Sequence, residues 1–192
     1  MVAEPAAAPT RRGLLRIAGT GIGGAAAVGL AACASKKSGS HTSSEPTTTP
    51  GPDVPILSRA LDLEHMAIVA YTASAPLLPQ TGQLAAQRFL SQELAHAGEL
   101  AGLVHQDGGK PSKPRANYDL GNPQTTGDVL ALLDRIEQAL IAVYLEAIPI
   151  VSRGSTRAAL AAILGNEAQH SSVLRLQQGR SPVPAAFVTP SK

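Results

Sequence analysis

From Asp53 to Gln178 apolar residues recur every three or four positions, which is the period of an amphipathic α-helix. Leu57, Leu61, Ile68, Tyr71 and Ala75 form one such stripe. They predict a first helix over Val54–Ala75, stopped by Pro76 and Pro79. Ala86, Leu90 or Phe89, His96 or Ala97, and Leu100 predict a second over Gly82–His105, with Thr81 as N-cap and Asp107-Gly108-Gly109 beyond its end. Leu130, Leu133, Leu140, Tyr144 and Ile148 predict a third over Gly127–Ile148, with Thr125 or Thr126 as N-cap. Leu160, Ile163 and Leu174 predict a fourth over Thr156–Gln178, opened by Ser155 and followed by Gly179. The links between helices one and two and between three and four are short, so each pair forms a helical hairpin. The link from Gln106 to Thr126 is about twenty residues, enough to return along the full length of a bundle. The pattern predicts an all-α, antiparallel four-helix bundle of two hairpins and one long crossover.

Upstream of Asp53 the helical period is lost. Ala34 to Pro52 is mostly Ser, Thr, Gly, Pro and Lys, with no large apolar residue. It cannot bury enough surface to order itself, so it is a disordered tether, with His41 solvated inside it. Such a linker spans on the order of 25 Å. Before it, Ile17 to Ser35 carries no charge, and Arg11 and Arg12 precede that run. The paired arginines resemble a twin-arginine export signal, and Leu30-Ala31-Ala32-Cys33 resembles a lipobox, with Cys33 as the acylated N-terminus. The expected layout is a signal peptide over 1–32, a lipidated tether over 33–52 and the bundle with a C-terminal tail over 53–192. The expected location is outside the cytoplasm, held on the cell membrane through Cys33.

Composition narrows the chemistry. The 192 residues are 44% hydrophobic, 16% charged and only 3% aromatic, with a net charge of +2. Residues 1–32 hold three basic residues and one acidic residue; without them the totals of 16 and 14 fall to 13 of each. No basic surplus remains for nucleic acid. A single Cys excludes a disulfide framework, a multi-Cys metal site and a rubredoxin-like electron-transfer module.

Each apolar stripe is interrupted at its middle by a carboxylate: Glu64, Glu93, Glu137 and Glu167. Buried carboxylates are strongly disfavoured unless paired or bound to metal. Glu64 and Glu137 lie twelve residues before Pro76 and Pro149, and Glu93 and Glu167 twelve after Thr81 and Ser155. At 1.5 Å per residue each lies about 18 Å from its hairpin, so the four share one level. His96 and His170 follow their Glu by three positions and point to the same face. The halves also repeat. Glu64 to Tyr71 parallels Glu137 to Tyr144 at an offset of 73, and Glu93-Leu94-Ala95-His96 parallels Glu167-Ala168-Gln169-His170 at 74. Four carboxylates balance two divalent cations, and two imidazoles complete an oxygen and nitrogen set suited to Fe or Mn, with Zn also within reach. Glu146 and His105 lie half a turn from this face, Glu99 lies well off it and His65 one step off it; all four read as surface or supporting groups.

One Glu from each of two helices and a Glu-x-x-His from each of the other two resemble the ferritin-like superfamily of bacterioferritins, rubrerythrins and manganese catalases. The likeness covers about residues 54–178, and the Arg180–Phe187 ending resembles the tail of exported ferritin-like proteins. It implies two Fe or Mn ions held by Glu64, Glu93, His96, Glu137, Glu167 and His170. Glu64 and Glu137 would be terminal or bridging ligands, and the hydroxyls of Tyr71 and Tyr144 would touch the site. It also implies redox work, Fe(II) oxidation or peroxide removal, with a non-catalytic metal-binding or envelope bundle as the alternative. A tethered lipid anchor argues against a closed storage cage. The expected partners are the membrane and metal ions, with a homodimer left open.

Overall fold

The computed structural model describes residues 49–187. Arg11, Arg12, Cys33, His41, the leader and most of the tether lie outside the described residues. Among those described, four helices and no strand are present: α1 Val54–Ser74, α2 Gln80–Gln106, α3 Thr126–Ala147 and α4 Gly154–Gln177, with a turn of 3-10 helix over Ala75–Leu77. No helix among them is long and apolar enough to cross a membrane.

The helix ends correct two of the expected caps. Thr81 lies inside the first turn of α2, because Pro79, in an extended conformation, takes the cap position. Its fixed φ lets the helix begin at once, and the Gln83 side chain returns to donate to the Leu78 carbonyl at 2.8 Å. Ser155 lies inside α4, whose cap position is Arg153. That start is held instead by Arg157, which donates to the carbonyls of Ile148 (3.1 Å) and Val151 (2.8 Å). For α3 the structure selects Thr125, which accepts from Asp128 N at 3.1 Å while the Asp128 carboxylate accepts from Thr125 N at 2.9 Å. Gly179 closes α4 at φ +69°. Its N–H reaches Leu176 O, and Arg180 N reaches Arg175 O, a pairing that needs the left-handed glycine.

The hairpins lie at opposite ends. Thr126 Oγ1 donates to Leu77 O at 2.8 Å, so α3 starts beside the α1–α2 turn. At the other end the buried Asp53 carboxylate accepts from Ser152 N (2.9 Å) and Ser152 Oγ (3.0 Å), so the α3–α4 turn sits beside the start of α1. Residues 107–125 therefore run the length of the bundle, pinned to α1 where Arg115 Nε donates to Asp62 at 3.0 Å. The common level of the four carboxylates survives this arrangement for a geometric reason. The 21 residues of α1 span about 31 Å, so about 18 Å from either end is near the middle.

Helices α1 and α3 form the central pair, α2 packs on α1 and α4 on α3, and α2 meets α4 only lightly. Because α1 faces two helices, it buries Ala60, Ala67, Ala70 and Ser74 as well as Leu57, Leu61 and Tyr71, a wider face than one stripe. Ile68 and Ala75 are displaced to its edge.

Cap chemistry separates the three threonine and serine candidates. Thr125→Ala should cost about 1 kcal/mol, whereas Thr81→Ala and Ser155→Ala should stay within about 0.5 kcal/mol; chemical unfolding of the three variants checks this.

Candidate metal centre

The helix faces bring Glu64 from α1, Glu93 from α2, Glu137 from α3 and Glu167 from α4 to full burial, each 0% exposed. They fall into two sets that share a pair. Glu64, Glu93, His96 and Glu167 offer ligand atoms within 4.8 Å of one another, and so do Glu93, Glu137, Glu167 and His170. His96 Nδ1 lies 2.7 Å from Glu167 Oε1, 3.5 Å from Glu93 Oε2 and 3.8 Å from Glu64 Oε2. His170 Nδ1 lies 3.0 Å from Glu93 Oε1, 3.1 Å from Glu167 Oε2 and 3.6 Å from Glu137 Oε2.

The outer sides of the cluster are satisfied and the inner sides are not. Tyr71 on α1 donates its hydroxyl to Glu137 Oε1 on α3, and Tyr144 on α3 donates to Glu64 Oε1 on α1. Both tyrosines are buried, and burial raises their pKa well above 10. Yet Glu64 Oε2, both oxygens of Glu93, Glu137 Oε2, Glu167 Oε1 and His96 Nδ1 are buried without a hydrogen-bond partner. An orphaned buried polar group costs about 1–3 kcal/mol. These atoms approach one another closely but do not align, as expected of lone pairs aimed at a common point. A carboxylate and imidazole donor set of this kind fits two divalent cations.

The metal-free cluster meets its charge with protons. Burial, reinforced by the charges of Glu93 and Glu167, raises Glu64 and Glu137 well above 4.5, although His170 opposes this at Glu137. Burial also disfavours charge on Glu93 and Glu167, but contact with His170 and His96 outweighs it, so that Glu93 falls to about 2 and Glu167 falls as well. At the two imidazoles burial favours the neutral form. Neighbouring carboxylates override it and push His96 up to about 9 and His170 up to about 11. Two carboxylates and two imidazoliums then cancel. The imidazoles are therefore not neutral near pH 7, and proton competition for metal extends upward from the ordinary histidine value of 6.5.

The remaining sequence candidates separate clearly. Glu146 is on the surface and pairs with Arg59. Glu99 and His105 are exposed. His65 is not a surface group: it is buried, with its pKa lowered by burial, and it joins neither ligand set. Three supporting groups were not legible in the sequence. Phe89 stacks on His170, and His170 Nε2 donates to Gln92 Oε1 at 2.8 Å. Beside them, buried Asp134 accepts from Ser171 Oγ at 3.0 Å and from Arg180 at 2.9 Å, which ties the C-terminal segment to α3. All are contacts between helices or with the tail, and helical periodicity reports only which face a residue occupies. The choice between Phe89 and Leu90 on the α2 stripe was the one available signal.

The ferritin-like domain family matches residues 52–180. Among solved structures, a conserved hypothetical protein, rv2844, from Mycobacterium tuberculosis is similar at 18% identity and a TM-score of 0.63, over 65% of this chain and 96% of that one. A ferritin-like, diiron-carboxylate protein from Bacillus anthracis str. Ames is similar at 19% identity and 0.60, over 65% and 94%. At such identities the likeness is one of fold. No curated protein matches the chain.

The protonation pattern sets the pH dependence of the metal-free protein. The raised His96 and His170 contribute stability that is whole below 6.5 and lost as pH rises through about 9 and then about 11. The raised Glu64 and Glu137 likewise lose stability as pH rises above 4.5, whereas the lowered Glu93 loses it as pH falls from 4.5 toward about 2. Stability of stripped protein should therefore peak near pH 4.5 and fall on either side, as urea unfolding across pH would record. At pH 7 Glu64→Gln should cost less than Glu93→Gln, because burial already favours the uncharged form of Glu64. Glu93→Gln should cost about 3 kcal/mol or more by stranding buried imidazolium.

Proposed function

The chain belongs to the ferritin-like domain family, and on that premise we propose that it binds two iron or manganese ions at mid-bundle and carries out redox chemistry outside the cytoplasm. The observation that carries this reading is the set of six buried, unpartnered ligand atoms converging from four helices. Glu93 and Glu167, common to both ligand sets, would bridge the ions; Glu64 with His96, and Glu137 with His170, would each complete one position. The diiron-carboxylate description of the Bacillus anthracis protein agrees with iron. Two such ions, when bound, supply two electrons for reducing dioxygen or peroxide, or the site at which Fe(II) is oxidised.

The chain's own residues shape that site. Tyr71 and Tyr144 hold the outer oxygens of Glu137 and Glu64, leaving the inner oxygens for metal. Phe89 closes the His170 side against water, with the ring centroids 4.1 Å apart. Export through the twin-arginine route transports folded proteins, which would allow loading before export, and acylation at Cys33 would then hold the bundle on the membrane by its tether.

Metal analysis decides the reading. The stripped full-length chain should take up about two Fe(II) or Mn(II) ions. Glu137→Ala should lower that number and surface Glu146→Ala should not. Loading at pH 7 should release the two imidazole protons, and up to four with the carboxyls of Glu64 and Glu137, as calorimetry in buffers of different ionisation heat would count. No uptake of either ion overturns the reading, and uptake without turnover of Fe(II) or peroxide leaves a binding module. For the anchor, Cys33→Ser should move the protein from the membrane fraction to the soluble fraction or block its processing; unchanged retention and gel mobility overturn lipidation.

A further inference from the structure

The internal repeat relates the two halves of the cluster but not the side chains that support them. At the offset of 74 that maps His96 onto His170, Gln92 maps onto Asn166 and Phe89 onto Ile163. Gln92, half-buried on α2, accepts the hydrogen bond from His170 Nε2. Phe89 stacks on the same ring with 29° between the planes, and the His170 side chain is 1% exposed. The His96 side chain is 11% exposed, its Nδ1 has no aligned hydrogen bond, and among the described residues no amide reaches its ring. Asn166, one methylene shorter than Gln92, makes no such bond among them.

Proton position follows from this contact. An amide oxygen only accepts, so the bond keeps a proton on His170 Nε2 and makes Nδ1 the nitrogen that gives up its proton to ligate an ion. Nδ1 is the nitrogen already placed 3.0–3.6 Å from Glu93, Glu137 and Glu167. A ring fixed in orientation and tautomer loses little freedom when an ion arrives, and an acceptor on its outer nitrogen makes the inner one a better donor. His96 has neither advantage.

We propose that Gln92 is a positioning residue that fixes His170 with Nδ1 turned toward the carboxylates, and that it makes the two metal positions unequal. The Glu137–His170 position fills first and holds its ion; the Glu64–His96 position fills second and exchanges with solvent past the exposed edge of His96. This rests on the two-ion reading of the cluster.

The experiment is a titration of the stripped full-length chain with Zn(II) alone, followed by nitrogen NMR of labelled histidine side chains. The first equivalent should shift the His170 Nδ1 resonance to that of a metal ligand, and the His96 ring should respond only to the second. Gln92→Met, equal in length but without the acceptor, should weaken the first step about 10–100-fold and abolish the order. Gln92→Glu, which keeps an acceptor, should preserve the order. Two ions bound with His96 responding first, or both rings together, overturns the inference and leaves the two-ion reading intact. An unchanged first step in a folded Gln92→Met chain overturns the positioning role. If Gln92→Met loses its helical circular dichroism, the wild-type order of filling still decides. No Zn(II) bound at any concentration overturns the two-ion reading itself.

Discussion

Four carboxylates converge at the middle of an otherwise apolar bundle, and the rest of the structure answers the cost of putting them there. Left ionised and unpaired they would repel one another and lose their hydration. Tyr71 and Tyr144 solve one side of each terminal carboxylate by donating across the central helix pair. Protons solve the other side in the metal-free protein. Burial shifts Glu64 and Glu137 toward their protonated forms, while Glu93 and Glu167 are shifted toward ionisation by the two imidazoles. Protons thus offset part of the negative charge, and two divalent cations in their place would balance the four carboxylates.

The same constraint accounts for the arrangement of helices. A carboxylate at mid-helix, on the inner stripe, reaches its partners only if all four helices cross at one depth. Opposite hairpin ends achieve this because the four Glu sit near the middle of each helix, so reversing a helix does not change the level of its Glu. The crossover over 107–125 makes the reversal possible, and its Arg115–Asp62 contact keeps it along α1. Asp53 and Ser152 lock the far end, where the chain enters the bundle and the second hairpin turns.

Duplication and divergence are both visible. The clustered Glu, His and Tyr residues repeat between the halves, whereas the groups behind the imidazoles do not. Gln92 and Phe89 enclose His170, and among the described residues no amide and stacked phenyl ring enclose His96. A nearly symmetric cluster of carboxylates and imidazoles therefore sits in asymmetric surroundings.

Helix number, the two hairpins and the four buried carboxylates were legible in the sequence, because an apolar repeat of three to four residues dictates which side of a helix must leave water. The same repeat made Glu146 external, since 100° per residue turns it away from Glu137. Helix starts at Pro79 and Arg153, rather than Thr81 and Ser155, depended on hairpin packing that local cap preference does not contain. The width of the buried face on α1 and the burial of His65 followed from having two neighbours instead of one. Protonation, too, was decided only in three dimensions. A histidine in a sequence carries only its ordinary value near 6.5, and convergence of carboxylates from other helices is what raises His96 and His170. Which Glu is shared, and which imidazole is fixed, depend on distances across the bundle between residues as far apart in sequence as Gln92 and His170, and periodicity along one helix carries no such distance.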